Sequence, residues 1–196
     1  MQVEADGDLG GKCLMIDSLV GGRYFASWDK FGDTHQDVEI LARARDTFGY
    51  DHTPRFALRG SGSDGNEKVY FAGFQTPQDE NFIHKYTPTS TSVGSIEFVC
   101  SKDVWYWVRF RVEGNSLKTK AWRDGDGEPA WMIEETDDSH TQGWVGIGSY
   151  NSDPDFDWVG VATGGMTVPS PYLWVENCSH DNVVTPTDLT SNTLSA

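Results

Sequence analysis

The stretch that decides the fold reads Val104-Trp-Tyr-Trp-Val-Arg-Phe-Arg-Val112, then Glu-Gly-Asn-Ser, then Leu117-Lys-Thr-Lys-Ala-Trp122. Both arms alternate between two sets of side chains with a period of two, which is typical of strands with one buried face. Gly114-Asn115 falls where a two-residue hairpin turn requires a positive φ angle. The sequence therefore predicts a β-hairpin over residues 104–122.

The turn also predicts which residues of the two arms lie opposite each other. The apolar pairs are Val112 with Leu117, Phe110 with Thr119, and Val108 with Ala121. The opposite side, called the hairpin face, gathers indoles and cations: Trp105, Trp107, Arg109, Arg111, Lys118, Lys120 and Trp122. Arg111 then faces Lys118, and Arg109 faces Lys120. Like charges in such positions destabilise a sheet by roughly 0.2–1 kcal/mol per pair, so we expect an anionic group against this face.

Composition limits the class of protein. The chain has 196 residues, a formal net charge of −15 and an aromatic fraction of 13%, which favours one turn-rich globular β domain. The excess of negative charge disfavours a nucleic-acid partner. Membrane insertion is not expected, because no apolar run approaches the ~20 residues of a spanning helix. The first residues also lack the basic and apolar regions of a signal peptide.

Short alternating or apolar runs separated by Gly, Asp, Asn, Ser and Pro predict an all-β fold, a two-sheet antiparallel β-sandwich. The candidate strands cover residues 12–16, 22–28, 36–45, 54–60, 67–74, 81–86, 93–100, 104–112, 117–122, 130–135, 143–149, 156–162 and 172–176. We expect the sandwich to occupy residues 1–178. The polar residues 179–196 then form a linker, a tail or the start of an immunoglobulin-like module.

The three cysteines offer two interpretations. Cys13 and Cys178 could form a disulfide if the first and last strands pair, or all three, with Cys100, could be free thiols. Asp124-Gly-Asp-Gly-Glu128 imitates a calcium-binding EF-hand loop, but Pro129 stands where that loop requires glycine. This segment is therefore predicted to be an acidic hairpin turn.

Several segments together resemble the concanavalin A-like, laminin-G-like jelly rolls of bacteriophage and viral structural proteins and of secreted multi-domain proteins. The segments are Asp37 to Arg45, Trp105 to Asn115, Lys118 to Trp122, Gly143-Trp-Val-Gly-Ile-Gly148, and Phe156-Asp-Trp-Val-Gly-Val-Ala162. The resemblance spans roughly residues 12–176 and implies a jelly-roll sandwich. It also implies a virion-surface or extracellular location, with virion or multi-domain neighbours and the option of oligomers.

The resemblance carries expectations for ligands as well. Such modules often bind a sugar chain on the concave sheet, which would place the hairpin face in or beside that groove. Related modules often hold a structural calcium, and Asp157 matches the aspartate concerned. Calcium takes about six to eight oxygen ligands, and the alternative is that Asp157 caps a loop.

The carboxylate strings of jelly-roll glycoside hydrolases are absent. Glu4-Ala-Asp6 and Glu135-Thr-Asp137 each lack the third member. Polysaccharide lyases of this fold use Gln, His, Arg and Tyr, and His84 and Tyr150 lie in fragments of their motifs. The sequence therefore predicts a non-catalytic surface or virion module for adhesion or structure. The alternative is a polysaccharide lyase or glycoside hydrolase with an atypical site.

Three occupants of the hairpin face remain open at the level of sequence. The first is a glycan, with an acidic one suited to the arginines and lysines. The second is an acidic patch on a neighbouring protein. The third is neutralisation by acidic residues of adjacent strands, for which the candidates are Asp37, Glu39, Glu97, Glu134 and Glu135.

Overall fold

A computed structural model describes residues 2–4, 13–15, 23–27, 34–47, 53–62, 66–76, 78–150 and 153–170. These residues form strands and connecting turns, and they include no helix that could cross a membrane. The strands are β1 (Gln2–Glu4), β2 (Cys13–Met15), β3 (Arg23–Ser27), β4 (Val38–Arg45), β5 (Thr53–Ser61), β6 (Lys68–Gln75), β7 (Glu80–Tyr86), β8 (Ser90–Glu97), β9 (Tyr106–Glu113), β10 (Ser116–Arg123), β11 (Ile133–Thr136), β12 (Trp144–Tyr150) and β13 (Asp155–Thr163).

The strands form two antiparallel sheets. One has seven strands in the order β1-β2-β13-β4-β9-β10-β11, and the other has six in the order β3-β12-β5-β6-β7-β8. This confirms the predicted two-sheet antiparallel sandwich. Each predicted strand from 12–16 to 156–162 overlaps an observed strand, whereas 172–176, the boundary at residue 178 and the segment 179–196 lie outside the described residues.

The core lies between the inner faces of the two sheets. In β4 every second residue points inward, so Val38, Ile40, Ala42 and Ala44 all join the core. The period of two predicted for this strand is thus confirmed, and Leu41 packs on the outer face instead. The largest fully buried core side chains include Phe56, Leu58, Tyr70, Phe74, Ile83, Phe110, Leu117 and Ile147.

The predicted register of the 104–122 hairpin is confirmed. Val112 lies opposite Leu117, and Trp107 lies opposite Trp122, with every pair between them as expected. Gly114 has a φ angle of +56°, which a two-residue hairpin turn requires at its first central position.

Cys100 is a free, buried thiol whose Sγ lies 3.4 Å from the carbonyl oxygen of Gln75. Burial, aided by the nearby Asp79 and Asp46, raises the pKa of this thiol to about 12, so it stays protonated at neutral pH. Cys13 lies in β2, but Cys178 is outside the described residues, and the predicted Cys13–Cys178 pairing stays a prediction.

A polar cluster surrounds the hydroxyl group of Tyr70. The Tyr70 hydroxyl donates to Asp137 at 2.6 Å and accepts from the His140 backbone N–H at 3.0 Å. Lys85 pairs with the same Asp137 carboxylate. The His140 ring is buried against Tyr70, with 4.6 Å between ring centroids, and its Nε2 has no hydrogen-bond partner. Burial accordingly lowers the pKa of His140 below its ordinary 6.5.

The depressed histidine pKa predicts acid sensitivity. As pH falls below 6.5, the unfolded chain binds a proton that folded His140 resists, so stability decreases until pH reaches the lowered folded pKa. His84 acts in the same direction. We expect His140→Phe to show a shallower loss of unfolding free energy below pH 6.5 than the parent, measured by urea denaturation. Thr141→Ala, an exposed neighbour, should keep the parent slope, and an unchanged slope in His140→Phe would contradict the prediction.

Candidate functional site

The hairpin face is on the outer side of the seven-stranded sheet, and most of it is buried. Trp107 is 2% exposed, Trp122 4%, Arg109 3% and Lys120 9%. Trp105 is also buried, whereas Arg111 and Lys118 are half-buried. The structure therefore brings the seven predicted residues together on one face but leaves few of their atoms in contact with solvent.

Two carboxylates neutralise the centre of the hairpin face. Glu39, which is completely buried, pairs with Arg109 and, at 3.2 Å, with Arg111. Glu128 pairs with Arg109 at 2.6 Å and with Lys120 at 2.9 Å. Burial alone would raise the pKa of Glu128, but these two cations hold that pKa below its usual range.

The rim of the face is paired in the same way. Arg111 contacts Glu113 at 2.8 Å, and Lys118 contacts Glu134 at 2.5 Å. The sequence left three possible partners for the hairpin face. The structure shows the third of them, acidic residues of the chain itself. Glu39 and Glu134 were among the predicted partners, whereas Glu113 and Glu128 were not. Glu128 belongs to the acidic turn that directly follows β10, and that adjacency was the available signal.

One end of the face is a cluster of indoles, guanidinium groups and aspartates. Trp105 has the guanidinium carbons of Arg43 and Arg45 at 4.4 and 4.6 Å from its ring. Asp124 accepts from Trp107 Nε1 at 2.7 Å and from Arg43 at 2.8 Å. Burial disfavours the charge on Arg43, yet Asp124 and Asp157 raise its pKa above the ordinary value.

These contacts bear on the structural calcium that the resemblance implies. The Asp157 carboxylate is 3% exposed and pairs with Arg43. The guanidinium group of Arg43 therefore already neutralises its charge. The described part of the chain contains no group of three His, Cys, Asp or Glu residues that could hold a metal ion. Asp157 thus serves as an ion-pair partner of Arg43, and the structural calcium stays a prediction.

The outer side of the six-stranded sheet carries a second surface, called the platform. One row runs in register across all six strands: Phe25, Gly148, Arg55, Gly73, Phe82 and Ser95. The next row contains Ser27, Gly146, Ala57, Phe71, His84 and Ser92. Glycines alternate with larger side chains in the first row, whereas the second row has three small residues beside Phe71 and His84. Gly73, Gly146, Gly148 and Ala57 are themselves buried beneath the neighbouring side chains.

The rings of the platform contact one another, with Phe71 and Phe82 buried beneath the others at 0% and 2% exposed. Phe25 lies 6.1 Å from Phe71 and 5.9 Å from Trp144, measured between ring centroids. His84 lies 5.6 Å from Phe71 and 4.9 Å from Phe82. Phe25, His84 and Trp144 are half-buried, so part of each ring faces solvent.

Polar groups stand among these rings. The Arg55 guanidinium carbon lies 4.4 Å from the Phe71 ring and 4.7 Å from the Tyr150 ring. His84 Nδ1 lies 3.1 Å from the Ser90 hydroxyl, and burial together with Arg55 lowers the pKa of His84. The structure thus brings His84 and Tyr150 to one face with Arg55. Sequence reasoning did not find this face, because its members come from six strands and each resembles an ordinary strand aromatic.

The sheet order and the antiparallel pairing define the fold: the chain has a concanavalin A-like jelly-roll sandwich. The resemblance drawn from the sequence is confirmed for the fold. No protein-family model matches the chain, and no curated protein matches it in sequence.

Particular solved structures share this fold. The carbohydrate-binding module CBM66 from Bacillus subtilis matches with a TM-score of 0.64 and 14% identity, over 77% of this chain and 92% of that one. The exoplasmic/lumenal domain of VIP36, in a Ca2+/Man3GlcNAc-bound form, matches with a TM-score of 0.58 and 13% identity, over 90% and 87%. Chicken galectin 2 matches with a TM-score of 0.52 and 8% identity, over 72% and 100%. At these identities the matches establish the fold alone.

Proposed function

We propose that this chain is a non-catalytic glycan-binding module and that the platform is its binding surface. The observation that carries the proposal is the group of part-exposed rings of Phe25, His84 and Trp144 on the outer side of the six-stranded sheet. Sugar rings bind to flat aromatic surfaces, with a few polar groups to fix their orientation. The exposed Ser92 and the half-buried His84 are such groups here, whereas Arg55 is 7% exposed and lies beneath them. The carbohydrate-binding module and lectins that share the fold support the same class of ligand.

The platform suits a glycan better than the hairpin face does. On the hairpin face Trp107 and Trp122 are almost completely buried, and Arg109 is paired with Glu39 and Glu128. A sugar there would have to displace these contacts, and separating buried ion pairs is costly. On the platform the rings of Trp144 and His84 need no such rearrangement.

The proposal includes where the module acts. We assign it to a virion surface or the extracellular space, as part of an adhesion or structural protein. The resemblance to viral and secreted modules supports this location, and so does the exoplasmic/lumenal domain among the structures of similar fold.

The decisive measurement is retention on immobilised polysaccharides, both neutral and acidic. Trp144→Ala is expected to weaken binding by about thirtyfold, the effect of losing about 2 kcal/mol at a central aromatic contact. Trp131→Ala is the matched control, because Trp131 is also half-buried but contacts Lys120 on the other sheet. Equal retention of the parent and Trp144→Ala would contradict the platform as the binding surface.

One observation favours a second candidate, a polysaccharide lyase. Arg55, His84 and Tyr150 share the platform, and they match three of the four residue types that lyases of this fold use. Incubation with acidic polysaccharides separates the two functions, because a lyase releases products with unsaturated ends that absorb ultraviolet light. Retention without such products supports the binding module.

A further inference from the structure

The Trp144 ring of the platform lies on the backbone of Gly60. The two residues are paired across β12 and β5. A Cβ atom added at Gly60 would overlap the indole carbons Cδ2, Cε2 and Cζ2 of Trp144. These atoms adjoin the fused bond of the indole, so the glycine covers a face of the ring and not its edge. The ring is held in this position beside Phe25, with 5.9 Å between the ring centroids.

Gly60 belongs to a β-bulge in the six-stranded sheet. Leu58 and Ser61 lie three positions apart on β5 but pair with residues two positions apart on β6, Tyr70 and Lys68. The pairing of β5 with β12 shifts at the same place. A bulge bends its strand and re-aims neighbouring side chains, and bulges are common next to functional sites. The extra residue of β5 therefore sets where the Gly60 backbone lies relative to β12.

The side chain of Arg59 holds the bulge in place. Arg59 has a φ angle of +53°, in a left-handed region that few residues other than glycine adopt. Its guanidinium group is buried and donates to the carbonyl oxygens of Gln36 at 2.5 Å and His140 at 3.0 Å. It also lies 3.6 Å from the Asp37 carboxylate. Backbone strain of this kind persists where the surrounding contacts enforce it, and it clusters at ligand-binding sites.

We propose that Gly60 is a positioning residue for glycan binding, because it lets the Trp144 indole lie flat on the β5 bulge in the orientation on which a sugar ring stacks. The inference rests on the proposed function and deepens it, since it assigns a role to a residue that cannot itself contact the sugar through a side chain. With a Cβ at this position the indole must turn away from the bulge. The ligand then loses the aromatic surface that Trp144 forms beside Phe25.

A double-mutant cycle between Gly60 and Trp144 tests the positioning role on the full chain. The measurement is retention on the same immobilised polysaccharides. Gly60→Ala is expected to weaken retention by at least about tenfold, and Trp144→Ala by about thirtyfold. The double variant should be retained as Trp144→Ala is, because Gly60→Ala acts only through the ring. Parent-like retention of Gly60→Ala, or a further tenfold loss in the double variant, would overturn the proposal.

Gly160→Ala is the matched control. A Cβ at Gly160 would meet the indole of Trp158 on the outer side of the other sheet. Both substitutions crowd an indole ring, so both should lower the Tm by at least about 3 °C. Only Gly60→Ala should weaken retention. Equal losses of retention in the two variants would show that binding simply follows stability, and the positioning role would be wrong.

The Tm values of the cycle distinguish failure of this inference from failure of the proposed function. Trp144→Ala vacates the space above Gly60, so adding Gly60→Ala to it should change the Tm by less than about 2 °C. A larger loss, or a double variant that does not fold, contradicts the ring contact even where Gly60→Ala alone fails to fold. A parent that no polysaccharide retains contradicts the proposed function, and the Tm cycle then decides by itself whether Gly60 sets the orientation of Trp144.

Discussion

Replacing Glu39 with alanine is expected to lower the free energy of unfolding by about 3–5 kcal/mol, as measured by urea denaturation. Glu39 is completely buried, and its carboxylate accepts from Arg109, Arg111 and the backbone N–H of Val168. Without the carboxylate, the Arg109 guanidinium stays buried with part of its charge uncompensated. The backbone N–H of Val168 loses its hydrogen-bond acceptor as well.

Glu113→Ala provides the matched control. Glu113 also pairs with Arg111, but its side chain is 55% exposed, and exposed ion pairs contribute about 0–1 kcal/mol. The two variants each remove one carboxylate from the same network, so they share the change in net charge. If Glu39→Ala cost no more than Glu113→Ala, the buried ion pair would not be what holds this face.

The hairpin was predictable because its determinants are local. Gly114-Asn115 fixes the reversal, and the alternation on either side fixes which side chains share a face. The observed pairing of Trp107 with Trp122 follows from these two facts alone. The same reasoning placed Val38 and Ile40 in the core, because β4 alternates as strictly as the hairpin arms do.

The surroundings of the hairpin face were not predictable from local pattern. Glu39 is 70 residues from Arg109 in sequence, and Val168 is 59 residues from it. Periodicity shows which side chains share a face, but it does not show which distant segment covers that face. Like-charged neighbours on β9 and β10 did indicate that an anionic partner must exist, and Glu128 supplies one from the turn after β10.

The platform was missed for a related reason. Its first row takes one residue from each of six strands, and sheet order is a tertiary property that a single sequence does not reveal. Arg55 and His84 are far apart in sequence, yet β6 alone separates their strands. The resemblance drawn from the sequence led to the class of ligand that we propose, whereas the second face is identified only by the sheet order.

Gly143→Ala is expected to lower the free energy of unfolding by about 3 kcal/mol and, as a result, to lower the Tm by about 6 °C or more. Gly143 exchanges backbone hydrogen bonds with His35 at 3.1 and 3.2 Å. A Cβ there would lie 2.5 Å from the carbonyl carbon of Arg59 and 2.6 Å from that of Gly60. These are backbone atoms that rotation of a side chain cannot move, so the strand ends must separate.

Gly127→Ala is the control, because nothing lies within 4 Å of its Cβ position. It should change stability by less than about 0.5 kcal/mol, and equal losses in the two variants would contradict the packing argument.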